Sequence, residues 1–141
     1  MHIHNIKISE ETAVPLMQSR LSAGFPSPTT DFVEGQLDLN AHLVKRPAAT
    51  FIVQIMGDSM TGAGIFDGDY AVIDRSLTAE NGDIVVAAVN GELTLKRLKR
   101  KQNICHLVAE NAAYPDIKIT AEIGFVIWGV VTSVIHQFRK S

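Results

Sequence analysis

The sequence predicts a mostly β protein, formed by a curved antiparallel sheet or small barrel that follows a flexible N-terminal arm. Short apolar runs rich in β-branched residues alternate with glycine-containing turns from residue 49 onward. Asn90-Gly91, between two such runs, is the strongest hairpin signal in the chain. The first 23 residues, in contrast, have neither a helical nor a strand period. These three observations set the fold class.

The arm is predicted to cover residues 1–23, and the β-rich body residues 24–141. Pro15 interrupts any helix in the arm. Ser22-Ala23-Gly24 is a hinge of small residues, and the prolines after it favour extended backbone. Small, exposed and flexible segments are where chains are most easily cut. The hinge is therefore a candidate cleavage region.

One short helix and six strands are expected in the body. The helix is predicted within the stretch from Thr30 to Val44, where Asp38 is a suitable N-cap. Glycine-containing turns separate several of the later runs. The predicted strands cover residues 49–55, 70–74, 84–89, 92–98, 103–108 and 125–135.

Length, charge and cysteine content limit the function classes. The chain has 141 residues, enough for one domain with its own core. Its formal net charge of −2 differs from the basic excess of most nucleic-acid-binding proteins. The dense basic run from Lys96 to Lys101 is either a phosphate contact or, more simply, a solvated strand end.

A single cysteine, Cys105, suits a structural role in a reducing cytosol. We find neither a secretory signal nor an 18-residue apolar window, so we expect a cytoplasmic protein without a membrane span.

Two residues stand out as candidates for chemistry. Ser59 lies in Gly57-Asp58-Ser59-Met60, a glycine-containing loop directly after a strand. Lys96 lies within the strand that follows the Asn90-Gly91 hairpin. A strand lysine usually points to water, but one that points inward has a lowered pKa and can take the proton of a serine. Serine–lysine pairs are a known alternative to the catalytic triad. Sequence spacing alone does not bring the two side chains together.

Other candidates have simpler explanations. His2 and His4 have no third ligand nearby, so we expect no metal and no cofactor. A serine–histidine–acid triad would need His42 or His106 beside Ser59. The carboxylates at Asp67, Asp69 and Asp74 flank a turn and a strand end, where turn chemistry accounts for them.

Four blocks of the body, in order, resemble the LexA/UmuD family of self-cleaving serine–lysine peptidases. The match is closest to the UmuD branch, the accessory subunits of DNA polymerase V, because residues 24–28 and 38–40 also resemble the start of its peptidase body. The blocks are Gly57-Asp58-Ser59-Met60, Gly64-Ile65-Phe66-Asp67-Gly68-Asp69, Asn81-Gly82-Asp83-Ile84-Val85-Val86-Ala87 and Gly91-Glu92-Leu93-Thr94-Leu95-Lys96-Arg97-Leu98.

The resemblance implies specific roles. Ser59 would be the nucleophile, Lys96 the neutral general base, and Ala23–Gly24 the bond cut. Backbone N–H groups around Asp58 and Ser59 would hold the oxyanion. The best-known UmuD pattern has cysteine where Ala23 stands; a small residue fits the same pocket, so we expect cleavage to be retained. The implied body is LexA- and signal-peptidase-like.

The resemblance also implies partners. A RecA–single-stranded-DNA filament would stimulate self-cleavage after DNA damage, in the SOS response. The shortened homodimer would then join a UmuC-like Y-family subunit to form an error-prone translesion polymerase, and the sliding clamp is a further expected partner. Twenty-three arm residues are too few for a helix-turn-helix domain, so no direct sequence-specific DNA binding is expected. The apolar run from Phe125 to Ile135 is either an edge strand available for dimerisation or an internal core strand.

Three alternatives stay open at this point. The body could be a non-enzymatic β-barrel binding module in which Ser59 and Lys96 are ordinary surface residues. It could be a signal-peptidase-like enzyme that processes other chains, although such enzymes normally carry a membrane anchor. It could also be a mobile-element or phage homologue that interferes with the damage response of its host.

Overall fold

The computed structural model describes residues 3–4, 13–18, 20–24 and 33–139. The chain divides into two compact units, residues 7–45 and residues 1–6 together with 46–141. Among the described residues, no helix is long and apolar enough to cross a membrane.

The unit of residues 7–45 contains a two-stranded antiparallel sheet and one helical turn. β2 (Ala13–Met17) pairs with β3 (Val33–Asp38), and helix α1 (Leu39–Leu43) follows directly. The Asp38 carboxylate accepts hydrogen bonds from the N–H groups of Asn40, at 3.0 Å, and Ala41, at 3.3 Å. The predicted helix cap is therefore confirmed.

The predicted helical stretch was too long at its N-terminal end, because its residues 33–38 form β3. Its partner β2 has no strand period that the sequence would reveal, since a two-stranded ribbon need not bury one face. Pro15 is tolerated there because proline fits strands that have a free edge. The predicted boundary between residues 23 and 24 stays a prediction.

The larger unit is one antiparallel sheet of eight strands, which confirms the mostly β fold class. Its strands are β1 (Ile3–His4), β4 (Thr50–Gln54), β5 (Tyr70–Asp74), β6 (Ile84–Val89), β7 (Glu92–Lys101), β8 (Ile104–Val108), β9 (Ile117–Lys118) and β10 (Phe125–Ile135). Along the sheet their order is β1-β4-β5-β10-β6-β7-β8-β9, and within the described residues the sheet does not close into a barrel. Two 3-10 turns, at Pro47–Ala49 and Thr61–Ala63, flank β4 and its following loop.

β10 lies inside this sheet, between β5 and β6. Its register shifts between Ile127 and Gly129 against β6, and between Val131 and Ser133 against β5. Such shifts bend a strand and increase its twist. The reading of β10 as an internal core strand is thus correct, and the reading as an unpaired edge is wrong. Because β10 has no unpaired edge, it gives no physical support for a dimer formed through that strand.

The Asn90-Gly91 hairpin sets the position of Lys96. Both residues have positive φ, 50° and 83°, as a two-residue hairpin turn with the right twist requires. They join β6 to β7 in a register that places Lys96 opposite Val85. Leu95 and Leu98 on β7 belong to two different hydrophobic clusters, so Lys96 lies where the strand is buried.

Candidate active site

Ser59 lies on the loop between β4 and the 3-10 turn, a segment we call the Ser59 loop (residues 56–60). Gly57 has φ of 96°, a conformation that glycine adopts readily, and its N–H donates to the Asp67 carboxylate at 2.7 Å. Met60 is 2% exposed and belongs to the core. Contacts on both sides of Ser59 therefore fix the position of the loop. Ser59 itself is half-buried.

The Lys96 side chain extends from β7 to Ser59, and its amino group lies beside the Ser59 hydroxyl. Its Nζ lies 3.1 Å from Ser59 Oγ, 3.1 Å from Thr94 Oγ1 and 3.0 Å from the Leu95 carbonyl oxygen. A charged lysine would donate to all three oxygens. A neutral amine would donate to Thr94 and Leu95 and accept the Ser59 hydroxyl proton on its lone pair. The same geometry therefore accommodates both protonation states of the amine.

Burial lowers the pKa of Lys96 below its ordinary value of 10.5. The residue is 9% exposed, and none of the described ion pairs includes it. Desolvation without a counter-charge disfavours the protonated form. Ser59 thus sits beside an amine that loses its proton more readily than a surface lysine does.

A cleft of about 220 Å³ opens beside the pair. Met56, 81% exposed, and Leu93, 44% exposed, lie at its apolar wall. Concave sites with apolar walls and a few polar groups are typical of ligand binding. The remaining lining residues are Ile55, Gly57, Ser59, Met60, Thr94, Leu95 and Lys96.

Backbone donors for an oxyanion are present beside Ser59. Within the described part of the chain, the N–H groups of Asp58 and Ser59 donate no hydrogen bond to another protein group. Unpaired amides next to a nucleophile are what a developing oxyanion requires. These are the two groups singled out from the sequence, and their role stays a prediction.

The structure places the other candidate residues elsewhere. Asp67 holds Gly57, and Asp69 accepts from the Phe66 N–H and pairs with His136. None of the described histidines hydrogen-bonds Ser59, so the geometry does not form the alternative triad.

Cys105 is a half-buried free cysteine in β8. No cluster of three or more metal-binding side chains occurs among the described residues.

Ala23 and Gly24 lie in the unit of residues 7–45 and are exposed. A Cβ at Gly24 would meet no atom within 4 Å. The predicted scissile bond thus joins two exposed residues.

Sequence reasoning missed several groups around the pair. Thr94 was not singled out, although its two-residue spacing from Lys96 places both side chains on one strand face, where the hydroxyl can reach the amine. The Leu95 carbonyl has no signal in the sequence. Asn111 and Tyr114, which contact Asp58 from the segment after β8, lie more than 50 residues away along the chain and left no local signal.

Comparison with known proteins finds a matching peptidase family. Residues 15–132, which include both Ser59 and Lys96, match the Peptidase S24-like family. The chain belongs to this family. The family resemblance recognised from the sequence is therefore confirmed, and the chain is of a serine peptidase kind.

The S24-like relatives match nearly the whole chain. Protein SamA of Salmonella typhimurium is 45% identical over 131 residues, which cover 93% of this chain and 91% of the relative. Protein ImpA of Escherichia coli is 43% identical over 127 residues, 89% of this chain and 86% of the relative. Protein MucA of Escherichia coli is 42% identical over 121 residues, 85% and 82% respectively. All three are UmuD-like members of the family.

Proposed function

We propose that this chain is a self-cleaving serine–lysine peptidase that cuts its own Ala23–Gly24 bond. The observation that carries the proposal is the 3.1 Å contact between Ser59 Oγ and the buried amine of Lys96, in a chain of the S24-like family. A non-enzymatic module would have no use for a lysine that is buried without a counter-charge, since such burial costs stability.

The chemistry follows from the contacts of the pair. The neutral Lys96 amine takes the Ser59 proton as Oγ attacks the Ala23 carbonyl carbon, and an oxyanion forms on the carbonyl oxygen. The protonated amine then gives that proton to the Gly24 nitrogen, which leaves as a free amine. Ala23 remains as an ester on Ser59. Water, deprotonated by Lys96, hydrolyses the ester and restores the pair.

Intramolecular presentation of the bond compensates for an inefficient general base. A chain segment that carries its own scissile bond to the cleft converts the attack into a first-order step, with effective concentrations of about 10⁵ M or more for well-oriented groups. A RecA–single-stranded-DNA filament would accelerate the reaction by favouring the cleavable position of the segment or the neutral form of Lys96.

The processed body is proposed to act in SOS mutagenesis. Residues 24–141 would form a homodimer and join a UmuC-like Y-family subunit as part of an error-prone, translesion DNA polymerase, with the sliding clamp as a further partner. Support for this role comes from membership of the UmuD-like group of the family. The site of action would be the cytoplasm, where these partners act.

Mass spectrometry of purified chain, incubated with and without RecA filament, tests the proposal. We expect a fragment that begins at Gly24, formed faster with the filament and absent in Ser59→Ala and Lys96→Ala. A stable full-length chain under both conditions would instead favour the binding module. Cleavage of added substrates without cleavage at Gly24 would favour the signal-peptidase-like alternative.

A further inference from the structure

The segment that follows β8, residues 109–114, braces the Ser59 loop on both sides of Ser59. Asn111 Nδ2 donates to the Asp58 carbonyl oxygen at 2.9 Å, and the Tyr114 hydroxyl donates to the Asp58 carboxylate at 2.5 Å. On the other side, the Gly62 N–H donates to the Glu110 carbonyl oxygen at 2.7 Å. A Cβ on Gly62 would lie 2.6 Å from that oxygen, so the two backbones are in close contact. We call residues 109–114 the bracing segment.

The Asn111 side chain has only one orientation that satisfies its partners. Its Oδ1 accepts from the Ala113 N–H at 2.9 Å, which leaves Nδ2 to face the Asp58 carbonyl. A flipped amide would set oxygen against oxygen and nitrogen against N–H. The Tyr114 N–H closes the turn on the Asn111 carbonyl at 3.0 Å. The donor aimed at Asp58 is thus held in place by its own turn.

A hydrogen bond to the Asp58 carbonyl also fixes the next N–H group. The Asp58 carbonyl and the Ser59 N–H belong to one planar trans peptide unit, in which they point in opposite directions. Asn111 draws the carbonyl toward the bracing segment, so the Ser59 N–H is directed away from that segment. In the part of the chain that the structure describes, the Ser59 N–H donates no hydrogen bond to protein, so its direction depends on the hydrogen bonds of the Asp58 carbonyl.

We propose that Asn111 is a positioning residue for the oxyanion hole, because it fixes the direction of the Ser59 N–H through the Asp58 carbonyl. This inference rests on the proposed self-cleavage. Donors that point at the oxyanion before the reaction cost no reorganisation when charge develops there. A peptide unit free to rotate would lose part of that stabilisation.

A general role in holding the loop is the competing explanation. The chain on either side of Ser59 is already held without Asn111, by Asp67 on Gly57 and by Glu110 on Gly62 in the following 3-10 turn. The Asp58 carbonyl also accepts from the Thr61 N–H, at 3.4 Å. What Asn111 adds is the shorter of the two hydrogen bonds that orient this peptide unit, at 2.9 Å. Its loss should therefore slow cleavage while the fold and the Lys96 titration stay unchanged.

Asn111→Asp tests the proposal, because it keeps the shape and the acceptor for Ala113, removes the donor to Asp58 and adds one negative charge. We expect the plateau rate of self-cleavage at high pH to fall about 10- to 100-fold, somewhat less than complete loss of an oxyanion donor. The pH midpoint and the melting temperature should match the parent, since no Lys96 contact involves Asn111. Tyr114→Phe, which keeps the Asn111 contact, should lower the rate less than threefold.

Asn81→Asp is the matched control. Asn81 accepts a hydrogen bond from the Arg100 N–H through Oδ1, and this variant adds the same charge without removing that acceptor. It should cleave like the parent. A parent-like rate in Asn111→Asp would overturn the proposal, and so would a rate loss accompanied by a shifted pH midpoint and a lowered melting temperature.

The amide NMR signal of Ser59 provides a readout that does not depend on cleavage. Asn111→Asp should shift or broaden this signal, and Asn81→Asp should leave it unchanged. An unaltered Ser59 signal in Asn111→Asp would contradict the positioning role. If the parent chain does not cleave, the proposed function fails, while the Ser59 signal still decides whether Asn111 orients this peptide.

Discussion

At the scale of single residues, the site depends on the cost of burying one amine. Lys96 has three oxygen neighbours, at Ser59, Thr94 and Leu95, and no carboxylate among them. A carboxylate would stabilise the ammonium form and raise its pKa. Neutral oxygens instead leave desolvation as the dominant effect on the pKa. The arrangement therefore favours a base over a salt bridge.

This cost predicts a pH dependence of stability. The pKa of Lys96 is lower in the folded chain than its ordinary value, so the unfolded chain binds more protons between those two pKa values. The free energy of unfolding should then rise with pH across that interval, by about 1.4 kcal/mol for each pH unit of the difference. Urea denaturation at pH 7 and pH 10 should show this rise in the parent but not in Lys96→Met.

Lys99→Met is the matched control for this measurement. Lys99 is an exposed residue of the same strand. Its variant should keep the rise of the parent. An equal rise in Lys96→Met would assign the effect to other groups.

Thr94→Val tests whether the threonine hydroxyl orients the amine. Valine keeps the shape and removes the acceptor 3.1 Å from Lys96 Nζ. We expect self-cleavage to slow about tenfold, which corresponds to about 1.4 kcal/mol, near the upper range for one hydrogen bond. Thr132→Val removes a threonine hydrogen bond outside the site, from the Thr132 hydroxyl to the Val72 carbonyl oxygen at 3.3 Å, and should leave the rate unchanged. Equal rates in the two variants would exclude an orienting role.

At the scale of elements, the hairpin between β6 and β7 carries Lys96 to its position. Gly91 has φ of 83°, which an alanine adopts only at a cost of about 1–2 kcal/mol. Gly91→Ala should lower the free energy of unfolding by that amount in a urea titration. Gly124→Ala is the control, because a Cβ there meets its nearest neighbour at an ordinary 3.6 Å. Equal losses in both variants would contradict the argument from backbone conformation.

At the C-terminal end of β5, the buried carboxylate of Asp74 contributes to the stability of the fold. Burial alone would raise its pKa, but hydrogen bonds from Ser76 and Arg46 outweigh burial and the pKa is lowered. Asp74 therefore contributes stability above its unfolded pKa of 3.8, and this contribution is lost as pH falls through the lower folded pKa. Asp74→Asn should cost about 1.5–3 kcal/mol at neutral pH.

Urea denaturation at pH 7 and near pH 2 tests this dependence. The cost of Asp74→Asn should be smaller at the lower pH, because the parent carboxylate becomes more protonated as pH falls toward its folded pKa. Asp116→Asn, an exposed position, should be neutral at both. A cost for Asp74→Asn that does not change with pH would assign the effect to packing.

At the scale of the whole molecule, the sequence predicted the larger unit well. Strands 70–74, 84–89 and 125–135 have the predicted bounds, because apolar runs between glycine turns are a local signal. The family was also predictable, since its motifs keep their order along the chain. The proximity of Ser59 and Lys96 was not derivable from spacing, because it requires the register of β7 and the path of a loop.

The pairing of β2 with β3 and the bracing segment were not predictable by local reasoning. β2 pairs across an intervening stretch of more than a dozen residues, and its sequence does not alternate. The Asn111 and Tyr114 contacts link residues 53 and 56 positions apart. Contacts at that separation depend on the complete sheet. A local pattern records only the propensity of its own segment.

The rate at which the fragment beginning at Gly24 appears, measured from pH 7 to pH 11, tests the central claim most directly. One assay reports both the bond that is cut and the titration of the base. The account predicts that the rate rises with pH and reaches a plateau once Lys96 is neutral, at a midpoint below the ordinary lysine value of 10.5. A rate that stays flat from pH 7 to pH 10, or a fragment with a different first residue, would contradict it.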